Sequence, residues 1–117
     1  MLQRRNTVQI SARREDKTTI FDVIGDIDLA NSPEIRKALL REIRETRTPK
    51  VVMNLTKVRY IDSSGVASLV EGLKASRDTG SRFILFGLSP AAREVLQLSR
   101  LLKIFEVYEN EEQALST

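Results

Sequence analysis

The chain has 117 residues, 41% apolar, 30% charged and 5% aromatic, with a formal net charge of +3. That is the size of one domain and enough apolar material for one packed core, which excludes wholesale disorder. With no cysteine and no histidine, the composition also excludes disulfides, thiolate nucleophiles, Cys-based zinc sites and a Ser-His-Asp triad. An enzyme built from this chain would have to run on carboxylates, Lys or Tyr.

No stretch approaches the roughly 18 apolar residues of a membrane span. The opening MLQRRNTV carries two arginines with no apolar run behind them. Neither membrane insertion nor a signal peptide is expected, and a cytoplasmic protein is.

Val8, Ile10 and Ala12 alternate with polar residues, which predicts a half-buried strand. After the turn-like Arg14-Glu15-Asp16-Lys17, the run TTIFDVIG has apolar residues at 20, 21, 23 and 24 and reads as a central strand covered on both faces. Beyond Gly25-Asp26-Ile27-Asp28 a helix is predicted, with Ser32 as N-cap and Pro33 at the first helical position. Ile35, Ala38, Leu39 and Ile43 form its buried stripe, and Thr48-Pro49 ends the segment. Its basic residues, Arg36, Lys37, Arg41, Arg44 and Arg47, are interleaved with Glu34, Glu42 and Glu45. Such a mixture predicts a solvated face laced with i,i+4 pairs, and no nucleic-acid partner is expected.

KVVMNL, from Lys50, reads as a short buried strand. Val58-Arg59-Tyr60 then leads to Asp62-Ser63-Ser64-Gly65. Val66, Leu69, Val70 and Leu73 follow the i, i+3, i+4, i+7 rule of a second helix, closed by Gly80. RFILFGL is another buried strand, Ser89-Pro90 starts a third helix over AAREVLQLSRLL, KIFEVY is a last edge strand, and Glu111 to Leu115 a final helical turn. Strands alternating with helices of this length predict an α/β fold. The expectation is one domain over residues 1–117, its core at about 8–115, with a mostly parallel sheet of about 4–5 strands and about 4 helices. Only a short turn joins the first two strands, so that pair is expected to be antiparallel.

In such a sheet, strand ends that lead into helices form the edge where ligands and partners gather. Two of these junctions are polar here, the one holding Asp26 and Asp28 and the one holding Asp62, Ser63, Ser64 and Gly65. If their strands are neighbours, both lie on one edge. As plain structure, Asp or Ser caps the helix, Gly65 permits a tight turn, and Asp26 and Asp28 are turn residues favoured near a helix start. These carboxylates have no fixed ligand spacing, which makes a poor case for a metal. A magnesium phosphohydrolase on Asp26, Asp28 and Asp62 would also lack a nucleophile–base pair and a phosphate-cradling glycine loop.

Ser64, Ser68, Gly72 and Ser76 recur every four residues down the second helix. This ridge of small side chains admits either a neighbouring helix of the same domain or an extension of a partner surface beginning at Ser63.

Three segments carry a family resemblance: VIGDIDLANSPEIRKAL, VRYIDSSGVASLVEGL and FGLSPAAREVLQLSRLLKIFEVYENEEQAL. Together, from about Val8 to Leu115, they resemble the STAS domain family, and within it the bacterial anti-sigma factor antagonists. The resemblance implies a phosphorylation-switched binding protein rather than a catalyst, with no cofactor. Its unphosphorylated form would bind an anti-sigma factor that is also a serine kinase and so free a sigma factor. A serine phosphatase would reset it. Carried onto this chain, the acceptor is Ser63, Ser64 caps or positions the helix, and Asp62 orients the serine. Asp26, Asp28, Gly65, Ala67 and Ser68 complete the implied partner surface on a monomer or weak dimer. The chain departs from the pattern at Ala67, where many antagonists carry a second glycine. A different STAS branch, the small subunit of ABC-type phospholipid transporters, is the alternative, although it often alters the acceptor serine that this chain keeps.

Overall fold

In the computed structural model, which describes residues 8–117, period-two patterning sets up the sheet. The reading of MLQRRNT lies outside the described residues. Strands β1 (Gln9–Glu15) and β2 (Thr18–Ile24) form the expected antiparallel hairpin, with Asp16 at φ 54° in its two-residue turn. β3 (Lys50–Lys57), β4 (Arg82–Phe86) and β5 (Glu106–Tyr108) follow in parallel, giving a five-stranded sheet in the order β1-β2-β3-β4-β5.

The two faces of that sheet are covered unequally. Phe21, Val23, Val51, Met53, Leu55, Phe83 and Leu85 share one core with side chains from three helices. These are α1 (Ser32–Arg41), α2 (Ser63–Thr79) and α3 (Pro90–Leu98). The other face is covered by the short α4 (Glu111–Leu115), through Ala114 and Leu115 on Ile20, Val52, Ile84 and Phe86. Beyond α4 that face turns polar. Arg13 donates to both oxygens of Asp22 (2.6 and 2.9 Å) and to Glu111 (2.7 Å), and Asn54 donates to Asp22 (2.8 Å). So β2 is apolar on both faces only in its first half: Asp22 is half-buried and Ile24 exposed, against the expectation of a fully covered strand. The Arg13 guanidinium, with Asn54 assisting, holds the Asp22 carboxyl below its ordinary pKa, and Asp22 and Glu111 raise that of Arg13.

The helices depart from expectation in three places. The N-cap of α1 is Asn31, not Ser32, because the Asp28 carbonyl accepts from both the Asn31 and Ser32 amides (3.1 and 2.7 Å) and draws the chain into helix one residue early. The outer face of α1 carries no ion pair of Arg36, Lys37, Arg41, Arg44 or Arg47 among the described residues. One of the expected acidic partners, Glu42, turns inward in the π-helical turn (Glu42–Thr46), accepting from Arg14 and from the buried Thr19 hydroxyl, both at 2.6 Å. Finally, α3 stops at Leu98 instead of running on: Arg100 adopts φ 62° and the Leu101 amide returns to the Leu96 carbonyl (2.8 Å). That reversal brings half-buried Leu101 back against the core.

Candidate functional site

Parallel pairing of β2 with β3 puts the two polar junctions side by side on one sheet edge. They are joined by backbone. Ile27 and Ile61 form a parallel bridge, the Ile27 amide donates to the Tyr60 carbonyl (3.0 Å), and the Asp62 amide donates to the Ile27 carbonyl (3.1 Å). Both isoleucines are fully buried, so the bridge is also a hydrophobic contact. Gly65 makes the approach close. A Cβ there would lie 2.4 Å from the Ile27 carbonyl oxygen and 2.6 Å from Ile61 Cγ2.

Asp62 ties the pieces together through its carboxylate. Oδ1 accepts from the Gly65 amide (3.0 Å), which makes Asp62 the N-cap of α2, and Oδ2 accepts from the Leu29 amide (3.0 Å) across the junction. The N-cap is therefore Asp62 rather than Ser64. The carboxylate to which the resemblance assigns the orienting of a serine holds two backbone amides. Asp28 plays the matching part at α1, accepting the Asn31 amide on Oδ1 (3.1 Å), while the Asn31 side chain donates to the Asp26 carbonyl (3.0 Å). Among the described residues no three His, Cys, Asp or Glu side chains stand together in a metal-holding group.

Ser63 is the first residue of α2 and is exposed, and Ala67, one turn on, is exposed as well. Asp26, Asp28, Asp62 and Ser64 are half-buried around them. Two expected surface residues are not on the surface. Gly65 is buried against Ile27, and Ser68 is only 1% exposed, its hydroxyl donating to the Ser32 carbonyl of α1 (3.1 Å) and to the Ser64 carbonyl (3.2 Å). The rest of the small-residue ridge is internal too. Gly72 faces Leu39 and Phe83, and Ser76 is buried with its hydroxyl on the Leu73 carbonyl (2.7 Å). Small side chains are needed there because α1 and β4 pack directly on α2.

Two features of the edge escaped the sequence reading. One is Leu29, an apolar residue inside DIDLANSP whose side chain points outward rather than into the core, 73% exposed. The other is a groove of about 380 Å³ between α2 and α3, walled by Val66, Ala67, Val70, Val95 and Leu101 and bordered by Ser63 itself. Val95 and Leu101 are distant in sequence from Ser63, and the groove depends on the chain reversal at Arg100. Among the described residues no helix is long and apolar enough to cross a membrane.

Comparison with known proteins finds relatives in both sequence and fold. The chain is 32% identical over 102 residues to the anti-sigma-B factor antagonist of Listeria monocytogenes, spanning 86% of this chain and 87% of that one. It is 25% identical to the anti-sigma F factor antagonist of Paenibacillus polymyxa, across 93% of each. The fold is shared with the crystal structure of an anti-sigma factor antagonist from Mycobacterium paratuberculosis. Its TM-score is 0.84 at 24% identity, over 98% of this chain and 97% of that one. With the STAS domain model matched over residues 9–114, the chain belongs to the STAS domain family.

Proposed function

We propose that this protein is an anti-sigma factor antagonist whose binding is switched by phosphorylation of Ser63. The observation that carries the proposal is the setting of that serine. It is exposed at the first position of α2, and the junction beneath it is held by the Ile27–Ile61 bridge, Gly65 and the Asp62 carboxylate. None of those contacts uses the Ser63 hydroxyl, which is left for another protein's active site. The absence of histidine from the sequence is no obstacle, because a protein kinase supplies the base, nucleotide and magnesium.

Phosphorylation adds roughly −1.5 to −2 charge, here directly beside Asp62. It would face the phosphates of the ADP left in the kinase. Like charges juxtaposed in an interface cost several kcal/mol, enough to separate bound from free. The N-terminus of α2 offsets the intramolecular part of that repulsion. In this reading the unphosphorylated form sequesters an anti-sigma factor with serine kinase activity, releasing a cytoplasmic sigma factor, and a serine phosphatase restores it. The protein acts by binding, with Asp26, Asp28, Asp62, Ser64 and Ala67 flanking the acceptor. The names of the relatives support the same role.

The test is intact mass after incubation with magnesium ATP and a candidate anti-sigma factor kinase from the same organism, with Ser63→Ala and Ser64→Ala in parallel. One added phosphate that disappears only in Ser63→Ala, together with loss of kinase binding on phosphorylation, is the expected result. Phosphate retained in Ser63→Ala, or equal affinity of both forms, would refute it.

A further inference from the structure

Five large apolar side chains are exposed among the described residues: Ile24, Leu29, Tyr60, Leu98 and Ile104. Scattered singly, such residues are ordinary surface. Three of the five, however, sit on the two junctions at the Ser63 edge. Ile24 ends β2, Leu29 lies in the turn that follows, and Tyr60 ends the neighbouring connection. Leu29 is the most exposed of these three, at 73%.

Its exposure does not come from a loose loop. The Leu29 amide is fixed to Asp62 Oδ2 (3.0 Å), Ile27 two residues before it is in the bridge, and the Asn31 amide two residues after it is held by Asp28. A leucine held out to solvent by a rigid backbone loses little backbone entropy when it is covered, and its side chain gains the full benefit of burial. Its position is set by the same carboxylate whose other oxygen caps the helix that begins with Ser63. A protein that brings an active site to the Ser63 hydroxyl therefore approaches an edge that also carries Leu29, whose amide is held by the residue before Ser63, and the α2–α3 groove that Ser63 borders.

We propose that Leu29 is a specificity-determining contact of this protein: the exposed side chain on the Ser63 edge that the serine kinase partner covers when it seats on that serine. This rests on the reading of Ser63 as the acceptor. Leu29 takes no part in the chemistry. It selects which kinase can seat on the edge, so its removal raises the dissociation constant and KM and leaves kcat in place.

The experiment compares wild type with Leu29→Ala, Leu29→Met and Leu98→Ala, the last an equally exposed leucine on the final turn of α3. The partner is the anti-sigma factor kinase, and the readouts are Kd of the unphosphorylated proteins and kcat and KM of Ser63 phosphorylation. Thermal melting of each variant is the control for folding. Leu29→Ala is expected to weaken binding and raise KM by roughly tenfold to thirtyfold, with kcat and melting temperature unchanged. Leu29→Met should restore most of the loss, and Leu98→Ala should stay within about twofold of wild type. A change below twofold in Leu29→Ala, an equal loss in Leu98→Ala, or a fall in kcat alone overturns the proposal while leaving Ser63 as acceptor. If wild type is neither bound nor phosphorylated at Ser63, the functional reading fails first and this inference falls with it.

Discussion

Replacing Gly65 by alanine tests whether the two junctions are held by close packing. A Cβ at position 65 would lie 2.4 Å from the Ile27 carbonyl oxygen and 2.6 Å from Ile61 Cγ2, with Ile27 Cγ2 at 3.0 Å. Ordinary contact requires about 3.5 Å, so the start of α2 and the Ile27–Ile61 bridge must part by about 1 Å. Neither neighbour can give way easily. One is a backbone carbonyl already accepting from the Asp62 amide, and the other is a fully buried β-branched side chain. Overpacking of this kind costs about 1–3 kcal/mol. Loosening the Asp62–Ile27 and Gly65–Asp62 hydrogen bonds adds about 1 kcal/mol each. Alanine recovers at most about 1 kcal/mol in helix propensity. The net expectation is a loss of about 2–4 kcal/mol, a visible fraction of an ordinary domain's 5–15 kcal/mol.

Two other glycines serve as internal references. At Gly72 the same substitution meets only the ring edge of Phe83 at 3.0 Å and the tip of Leu39 at 3.1 Å, so crowding and helix propensity nearly cancel and the change stays within about 1 kcal/mol. At Gly80 nothing lies within 4 Å, but φ is +77°, so the left-handed strain costs about 1–2 kcal/mol. Urea unfolding followed by far-UV circular dichroism, with m values compared to secure two-state behaviour, gives all three numbers. On the proposed role of Ser63, phosphorylation of Gly65→Ala should also slow by up to about 10²-fold, because that serine moves by about the distance that such reactions fail to tolerate. Gly65→Ala as stable as wild type, or less affected than Gly72→Ala, would refute the packing argument.

The Asp62 carboxylate holds two amides, so Asp62→Asn, which can accept well on only one side, should lose about 1 kcal/mol and Asp62→Ala about 2 kcal/mol in the same unfolding assay. Ser68→Leu should lower stability by more than about 2 kcal/mol, because the site is closed by α1, whereas Ser68→Ala should cost only about 1 kcal/mol for its hydrogen bonds. Loss of kinase binding in Ser68→Leu with stability intact would contradict that burial. The pH dependence follows from Asp22, whose folded pKa is held down chiefly by Arg13. A lowered carboxylate contributes stability that is fully present above its unfolded pKa of about 3.9 and lost as pH falls through the folded value. Wild type should therefore exceed Asp22→Asn in urea midpoint at pH 7, with the advantage closing below about pH 4. A gap that widened toward acid would show the sign to be wrong.

Much of the fold could be read from short-range pattern. The apolar periods of Val51 to Leu55 and of Val66 to Leu73, the Gly80 stop and the Ser89-Pro90 start all express local rules, and each element formed where those rules put it. What could not be read depends on which of several possible contacts wins, some of them local and most between residues distant in sequence. Asn31 and Ser32 are both good capping residues, and the choice falls to the Asp28 carbonyl. The end of α3 depends on where Leu101 can reach the core. Glu42 looked like a surface partner for the basic residues of α1, but Arg14 and Thr19, from the opening hairpin, draw it inward. At the site, the motif residues were visible as a set but their division of labour was not. The Asp62–Leu29 link joins residues 33 apart, and only the β2–β3 pairing brings them together.

That division of labour explains why a serine at this position suits a switch. A phosphoryl group on a residue that supports the fold would have to displace what that residue holds, and the domain would pay in stability each time it was modified. Here the contacts that hold the junction come from the backbone, from the buried Ile27 and Ile61 side chains, and from Gly65, Asp28, Asn31 and Asp62, and Ser63 stands beside them as the first exposed residue of the helix. Charge can therefore be added at the contact surface while the surface keeps its shape. Asp62 serves both ends of this arrangement. Its two hydrogen bonds fix the platform, and its position next to Ser63 makes the added phosphate one negative charge beside another rather than an isolated one. A serine one position later would not serve: Ser64 is half-buried, and its carbonyl receives the hydroxyl of the buried Ser68. The order Asp-Ser-Ser-Gly thus gives the cap to Asp62, the exposed hydroxyl to Ser63 and the close contact to Gly65, and moving Asp62 or Gly65 out of its place would cost the platform.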